Sequence, residues 1–152
     1  MRLSSILTII TAAFTSSITA IPASPNTDNN PIKTLQVREG DHCYESTFHG
    51  ETFNGSALIT DCQQLADSLD GNLSKEVDKY ERPYAIHGTC KFLVYNNIRP
   101  YHYIARVGDQ DVKDIIRDSI SKFGRDGRVG ARGTMRCNPG NQYVSWSIRR
   151  EN

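Results

Sequence analysis

Apolar residues recur along this chain at two periods, and the change from one to the other marks its elements. Leu58, Cys62, Leu65, Ala66 and Leu69 repeat at three- and four-residue steps, which places them on one stripe of a helix stopped by Gly71. Val112, Ile115, Ile116, Ser119, Ile120 and Phe123 make a second stripe. Asp109 stands as its N-cap, Asp111 in the first turn and Lys122 in the last, and Gly124 ends it. Elsewhere apolar and polar positions alternate, as they do along a half-buried strand. Such alternation runs over Ile86–Tyr95, over Tyr101–Val107 after an Asn96-Asn97 turn, and over Arg128–Cys137. It resumes over Tyr143–Arg149 after a turn at Asn138–Asn141, and a short fifth strand is expected at Tyr44–Phe48. The order β-α-β-β-α-β-β predicts an α+β fold, an antiparallel sheet of about five strands with both helices packed on one face.

The first forty residues change this picture. Arg2 precedes an apolar run, Ile6–Ala13, that is too short to span a bilayer. Ser16–Ala20 then offers small residues, with Ile18 and Ala20 at the −3 and −1 positions of a cleavage site. A signal peptide over 1–20 and a secreted, extracellular product are therefore expected, with no transmembrane span further on. Residues 21–40 are rich in Pro, Asn, Ser and Thr, which reads as a flexible lead-in. One domain remains, 41–152, expected as a monomer. Its four cysteines, Cys43, Cys62, Cys90 and Cys137, read as two disulfides in an exported chain. Four cysteines allow three pairings. Cys62 lies on the inner stripe of the first helix and Cys90 on the inner face of the following strand, which makes Cys62–Cys90 the natural pair and leaves Cys43 with Cys137. No cysteine pair has the close spacing of a zinc site, so neither a metal nor another cofactor is expected.

Charge is polarised along the chain. Ile21–Val112 holds 8 basic and 13 acidic residues, whereas Lys113–Arg150 holds 9 basic and 3 acidic. Within that basic third, Arg128, Arg132 and Arg136 recur every fourth residue of one expected strand, about 13 Å apart. With Arg149 on the neighbouring strand they form a candidate anion-binding face, the guanidinium fork suiting phosphate or carboxylate. The same stripe also reads as a solvated outer face, and its spacing carries no nucleic-acid specificity. Asn54-Gly55-Ser56 and Asn72-Leu73-Ser74 are N-glycosylation sequons flanking the first helix. His42, His49, His87 and His102, with Glu45 or Glu51, are the residue types of a small secreted ribonuclease, but no motif joins them and no catalytic residue is assigned. Tyr95, Tyr101 and Tyr103 offer an aromatic patch around the Asn96-Asn97 turn, with core packing the alternative for Tyr101 and Tyr103.

Several spaced pieces fall in a recognisable order. Cys43 is followed by Ser46-Thr47-Phe48, then Asp61-Cys62, then Gly88-Thr89-Cys90-Lys91-Phe92. Asp109-Gln110-Asp111 leads into Ile115–Ile120, Arg128–Cys137 follows, and Val144-Ser145-Trp146 completes the set. From Asp41 to Ile148 the chain resembles the fungal family of necrosis-inducing factors, secreted effectors similar to an extracellular protein of a leaf-mould pathogen. It departs from them at Tyr44 and at Ser147, where relatives often carry Gly. The resemblance implies a virulence or cell-death factor that binds a host plant's extracellular or cell-surface target and is not an enzyme. A looser, fold-level likeness to small killer toxins of smut fungi implies the alternative, a secreted protein acting on competing microbes.

Overall fold

The computed structural model describes residues 40–96 and 104–152. The expected signal peptide, the lead-in up to residue 39, Asn97, His102, Tyr101 and Tyr103 lie outside the described residues. In chain order come β1 (Cys43–Tyr44), β2 (His49–Gly50), β3 (Ala57–Leu58), α1 (Ile59–Ser68), β4 (Ser74–Val77), β5 (Arg82–His87) and β6 (Cys90–Asn96). They are followed by β7 (Ala105–Gly108), α2 (Asp109–Phe123), β8 (Arg128–Val129), β9 (Ala131–Cys137) and β10 (Gln142–Arg150).

The main sheet is antiparallel, in the order β1-β9-β10-β6-β5, with β2 also paired to β9. Its centre is β10, the longest strand, flanked by the two other long ones. Along β10, Val144, Trp146 and Ile148 point inward and are buried with Phe92, Val94, Met135 and Ala131. Both helices press on this inner face. Cys62, Leu65 and Ala66 of α1 and Val112, Ile115 and Ile116 of α2 join the same cluster. Phe92 stacks on Trp146 at 6.1 Å between ring centroids, and Phe48 meets the indole edge-on at 5.2 Å. The α+β architecture is thus the one the two periods predict. Disulfides close it at both ends: Cys62–Cys90 ties α1 to β6, and Cys43–Cys137 ties β1 to β9.

Four local differences from the expected elements have physical causes. Ile86–Tyr95 is not one strand but the hairpin of β5 and β6, turned at Gly88-Thr89 with His87 opposite Cys90. Gly88 supplies φ +53°, and Asp61 of α1 pins the turn by accepting from both the N–H and the hydroxyl of Thr89 at 2.7 Å. β7 pairs with β4 instead of the main sheet; β4 escapes a periodicity search because Val77 is the sole buried apolar residue in its four positions. The strand expected at Tyr44–Phe48 is broken: only Tyr44 lies in a strand, β1, and residues 45–48 take no regular structure. Pairing to β9 resumes at β2 with one residue more on this side than on β9, Glu45 taking φ +48° in the gap. Finally, α2 begins with Asp109 inside the helix and Gly108 at the N-cap. Asp109 is buried and its carboxylate is taken by the Tyr84 hydroxyl at 2.7 Å and the Asp70 N–H at 3.1 Å. Capping falls instead to Asp111, which accepts from the Gly108 N–H at 2.8 Å, and to Gly40, whose carbonyl accepts from Gln110 N–H at 3.0 Å. No helix among the described residues is long and apolar enough to cross a membrane.

Candidate functional site

Strand period places every second residue of the main sheet on the face turned away from the helices. The registers then arrange those residues in rows. Tyr44, Arg136 and Tyr143 lie side by side across β1, β9 and β10. Thr134, Ser145 and Tyr95 make the next row across β9, β10 and β6, with Thr47 hydrogen-bonded to Thr134 at its edge. His49, Arg132, Ser147 and Leu93 make the third, and Arg149 opposite Lys91 begins the fourth.

The middle of this face is a depression of about 530 Å³, lined by most residues of the second and third rows, by Arg149, and by Gly133 and Trp146 between the rows. It exists because Ser145 and Ser147 at the centre of β10, with Thr134 opposite Ser145, are short while Tyr95, Arg132 and Arg149 around them are long. Ser147 is 4 % exposed, and its hydroxyl has no hydrogen-bond partner among the described residues. Buried hydroxyls are nearly always paired, since a lone one costs about 1–3 kcal/mol. Arg132 and Arg149 stand on either side of Ser147. Arg132 Nε reaches Glu51 at 2.8 Å and Arg149 reaches Glu81 at 3.3 Å, both pairs open to solvent. Exposed pairs of this kind contribute about 0–1 kcal/mol, so an incoming carboxylate or phosphate can displace either partner.

The structure brings two of the four candidate arginines, Arg132 and Arg149, to one depression. Arg136 sits a row away, over the Tyr143 ring at 4.9 Å and 3.6 Å from Glu45. Arg128 is on β8, across from Leu58, and donates to the Ser56 carbonyl at 2.8 Å. Of the histidines, His49 lines the depression, His42 donates its backbone N–H to Asp111 at 3.0 Å and His87 meets the Gln64 side chain at 2.9 Å. Sequon residues Asn54 and Asn72 are both exposed. Tyr95 is half-buried at the rim, while Tyr44 and Tyr143 are exposed on either side of Arg136, a grouping that alternation alone does not single out. No group of three or more metal-ligating side chains gathers among the described residues.

A second cluster lies on the opposite side, at the start of α2. Asp111 accepts backbone N–H groups of His42, Cys43 and Gly108 at 2.8–3.0 Å. Burial pushes its carboxyl up to about 7; the three N–H groups pull the other way, and the neighbouring Asp41 carboxyl adds to the rise. Burial also raises the Tyr84 phenol well above its ordinary value, helped by its hydrogen bond to Asp109. These groups hold α2 to β1 and β7 and are turned away from the depression.

Residues 42–137 match the family described as "Pathogen effector; putative necrosis-inducing factor". Two curated proteins of Penicillium expansum are also similar. The one named "Probable chitinase LysM18" is 30 % identical over 131 residues, and the one named "Secreted chitinase LysM12" is 32 % identical over 132 residues. The matches take in 84 % and 83 % of this chain but 9 % of each relative, so the chain spans about a tenth of the length of these proteins. With the family match covering most of the chain and both of its disulfide-bonded segments, the chain belongs to this family of pathogen effectors.

Proposed function

We propose that the chain is a secreted effector that acts by binding an extracellular or cell-surface target of a host plant, with no catalytic step of its own. The observation that carries this reading is membership of the effector family over residues 42–137. A doubly cross-linked sheet suits it physically. Binding through a rigid face costs less ordering entropy than binding through a loop, and both disulfides end on strands of that sheet. The face also presents a depression with guanidinium and hydroxyl groups, the donors that select a polar ligand.

One observation favours a second reading. The relatives matched here are named chitinases, and this chain corresponds to a small part of each. A domain found alongside chitin-degrading enzymes fits a protein acting on the walls of competing fungi. The two readings separate in one experiment: purified mature protein is infiltrated into leaf tissue and applied in parallel to fungal and bacterial cultures. Necrosis at the infiltrated site, with cultures unaffected, is the expected result. Growth arrest in the cultures with healthy leaves would replace the first reading by the second.

A further inference from the structure

We infer that the depression over Ser145 and Ser147 binds an acidic sugar, a hydroxyl-rich ring bearing a carboxylate. This deepens the binding reading above and rests on it. The first support is the buried Ser147 hydroxyl without a partner, which lines the depression. A ligand hydroxyl placed over it would supply the missing hydrogen bond, and the fold retains an unpaired polar group there without one.

The second support is the composition of the floor. Thr134 and Ser145 are directly opposite in register, and Ser147 follows on the same strand two positions along. Three short hydroxyl side chains thus form a polar floor, where small-molecule sites are usually floored by apolar groups. The volume, about 530 Å³, falls in the usual range for small-ligand sites, about 300–1,000 Å³. Such a floor, with the Tyr95 ring at its rim and Trp146 also in the lining, suits a polyol ring that offers hydroxyls to the floor and a C–H face to an aromatic.

Charge narrows the class further. Arg132 pairs in register with Ser147, and Arg149 is two residues beyond it, about 7 Å along the strand. Their guanidinium groups are the cations lining the depression, and each is held by an exposed carboxylate that a ligand carboxylate can replace by exchange. Glu51 and Glu81, paired with the two arginines, and Glu45 beyond them border the same face, so positive charge is confined to two points and does not form the long basic track that a nucleic-acid backbone follows.

The test measures binding of trigalacturonic acid to the secreted, disulfide-intact protein by titration calorimetry and amide chemical-shift mapping. Chitotriose serves as the neutral probe and inorganic phosphate as the bare anion. Trigalacturonic acid should bind with shifts at Thr134, Ser145 and Ser147, at least about tenfold tighter than either comparison probe, and more weakly as salt is added. Arg132→Gln with Arg149→Gln should weaken binding by about tenfold or more, and Ser147→Val should weaken it comparably without lowering the melting temperature. Lys113→Gln with Arg150→Gln, away from the depression, should leave it unchanged. Absence of binding, equal binding of chitotriose or phosphate, or insensitivity to the changes at Ser147 and the two arginines would each overturn the assignment. Necrosis by a protein that fails to bind trigalacturonic acid removes the ligand class alone. Binding without any response in leaves or cultures removes the effector reading alone.

Discussion

Asp111 keeps its proton to near neutrality because its carboxyl is buried beside Asp41, even though three backbone N–H groups favour the charged form. Its folded value, about 7, lies above the unfolded value of about 3.9. The fold therefore binds a proton that the unfolded chain releases. Stability from this group is fully present below about pH 4 and is lost as pH rises through about 7. The melting temperature should accordingly fall between pH 5 and pH 8, and Asp111→Asn should flatten that slope; an unchanged slope in the variant would assign it to other groups. Asp61 behaves oppositely. Hydrogen bonds from the Thr89 hydroxyl and N–H hold its carboxyl below the ordinary range, so its contribution is present at neutral pH and is lost only in strong acid. Beside it, Gly88 has φ +53°, and an added Cβ would lie 2.6 Å from the Asp61 carboxylate. Gly88→Ala should cost about 1–2 kcal/mol from backbone strain alone, read as a lower urea midpoint with an unchanged m-value. A midpoint equal to the wild type's would show that the β5–β6 turn tolerates a side chain. Gly133 is less forgiving still: a Cβ there would stand 1.8 Å from the Thr47 carbonyl and 2.6 Å from the Trp146 ring.

At the scale of elements, α2 is the firmest. The helix runs for fifteen residues, and Ile116 near the centre of its stripe is fully buried. Ile116→Asp places an unpaired carboxylate in the core, which costs several kcal/mol against a typical whole-domain stability of about 5–15. Failure to accumulate as folded protein is expected, and secretion with an unchanged melting temperature would contradict the packing described. The same length made α2 legible in the sequence, as it did β9 and β10. Shorter elements were not legible. β4 shows a single buried apolar residue, and the β5–β6 turn hides because Gly88 and Thr89 continue the alternation of their neighbours. At the depression, Arg132 and Arg149 stood out by charge and spacing. Ser145 and Ser147 did not, because nothing in a serine on a strand signals burial. Their burial is made across three strands by side chains that only the register brings beside them.

Across the whole molecule, the two disulfides divide the work of bracing the sheet. Cys62–Cys90 closes 28 residues and Cys43–Cys137 closes 94. In the chain-entropy picture these loops correspond to about 3.6 and 4.7 kcal/mol, less in sum because one is nested in the other. Either value is a large part of what a domain of this size commands. Reduction should therefore unfold the protein or lower its melting temperature by tens of degrees, and intact protein should titrate with no free thiol. Peptide mapping that recovered a Cys43–Cys62 link would contradict the fold itself.

On the proposed function, the outer face of the cross-linked sheet is the surface that engages the target. The most direct test of this role is the dose response of leaf necrosis to three folded proteins: the wild type, Arg132→Gln with Arg149→Gln, and the charge-matched Lys113→Gln with Arg150→Gln. Outer-face changes of this kind usually alter stability by less than about 0.5 kcal/mol each, so equal melting temperatures are expected. Necrosis should be lost or shifted to at least about tenfold higher dose in the depression variant and unchanged in the control. Full activity in the depression variant, with its fold intact, would contradict that role for the face.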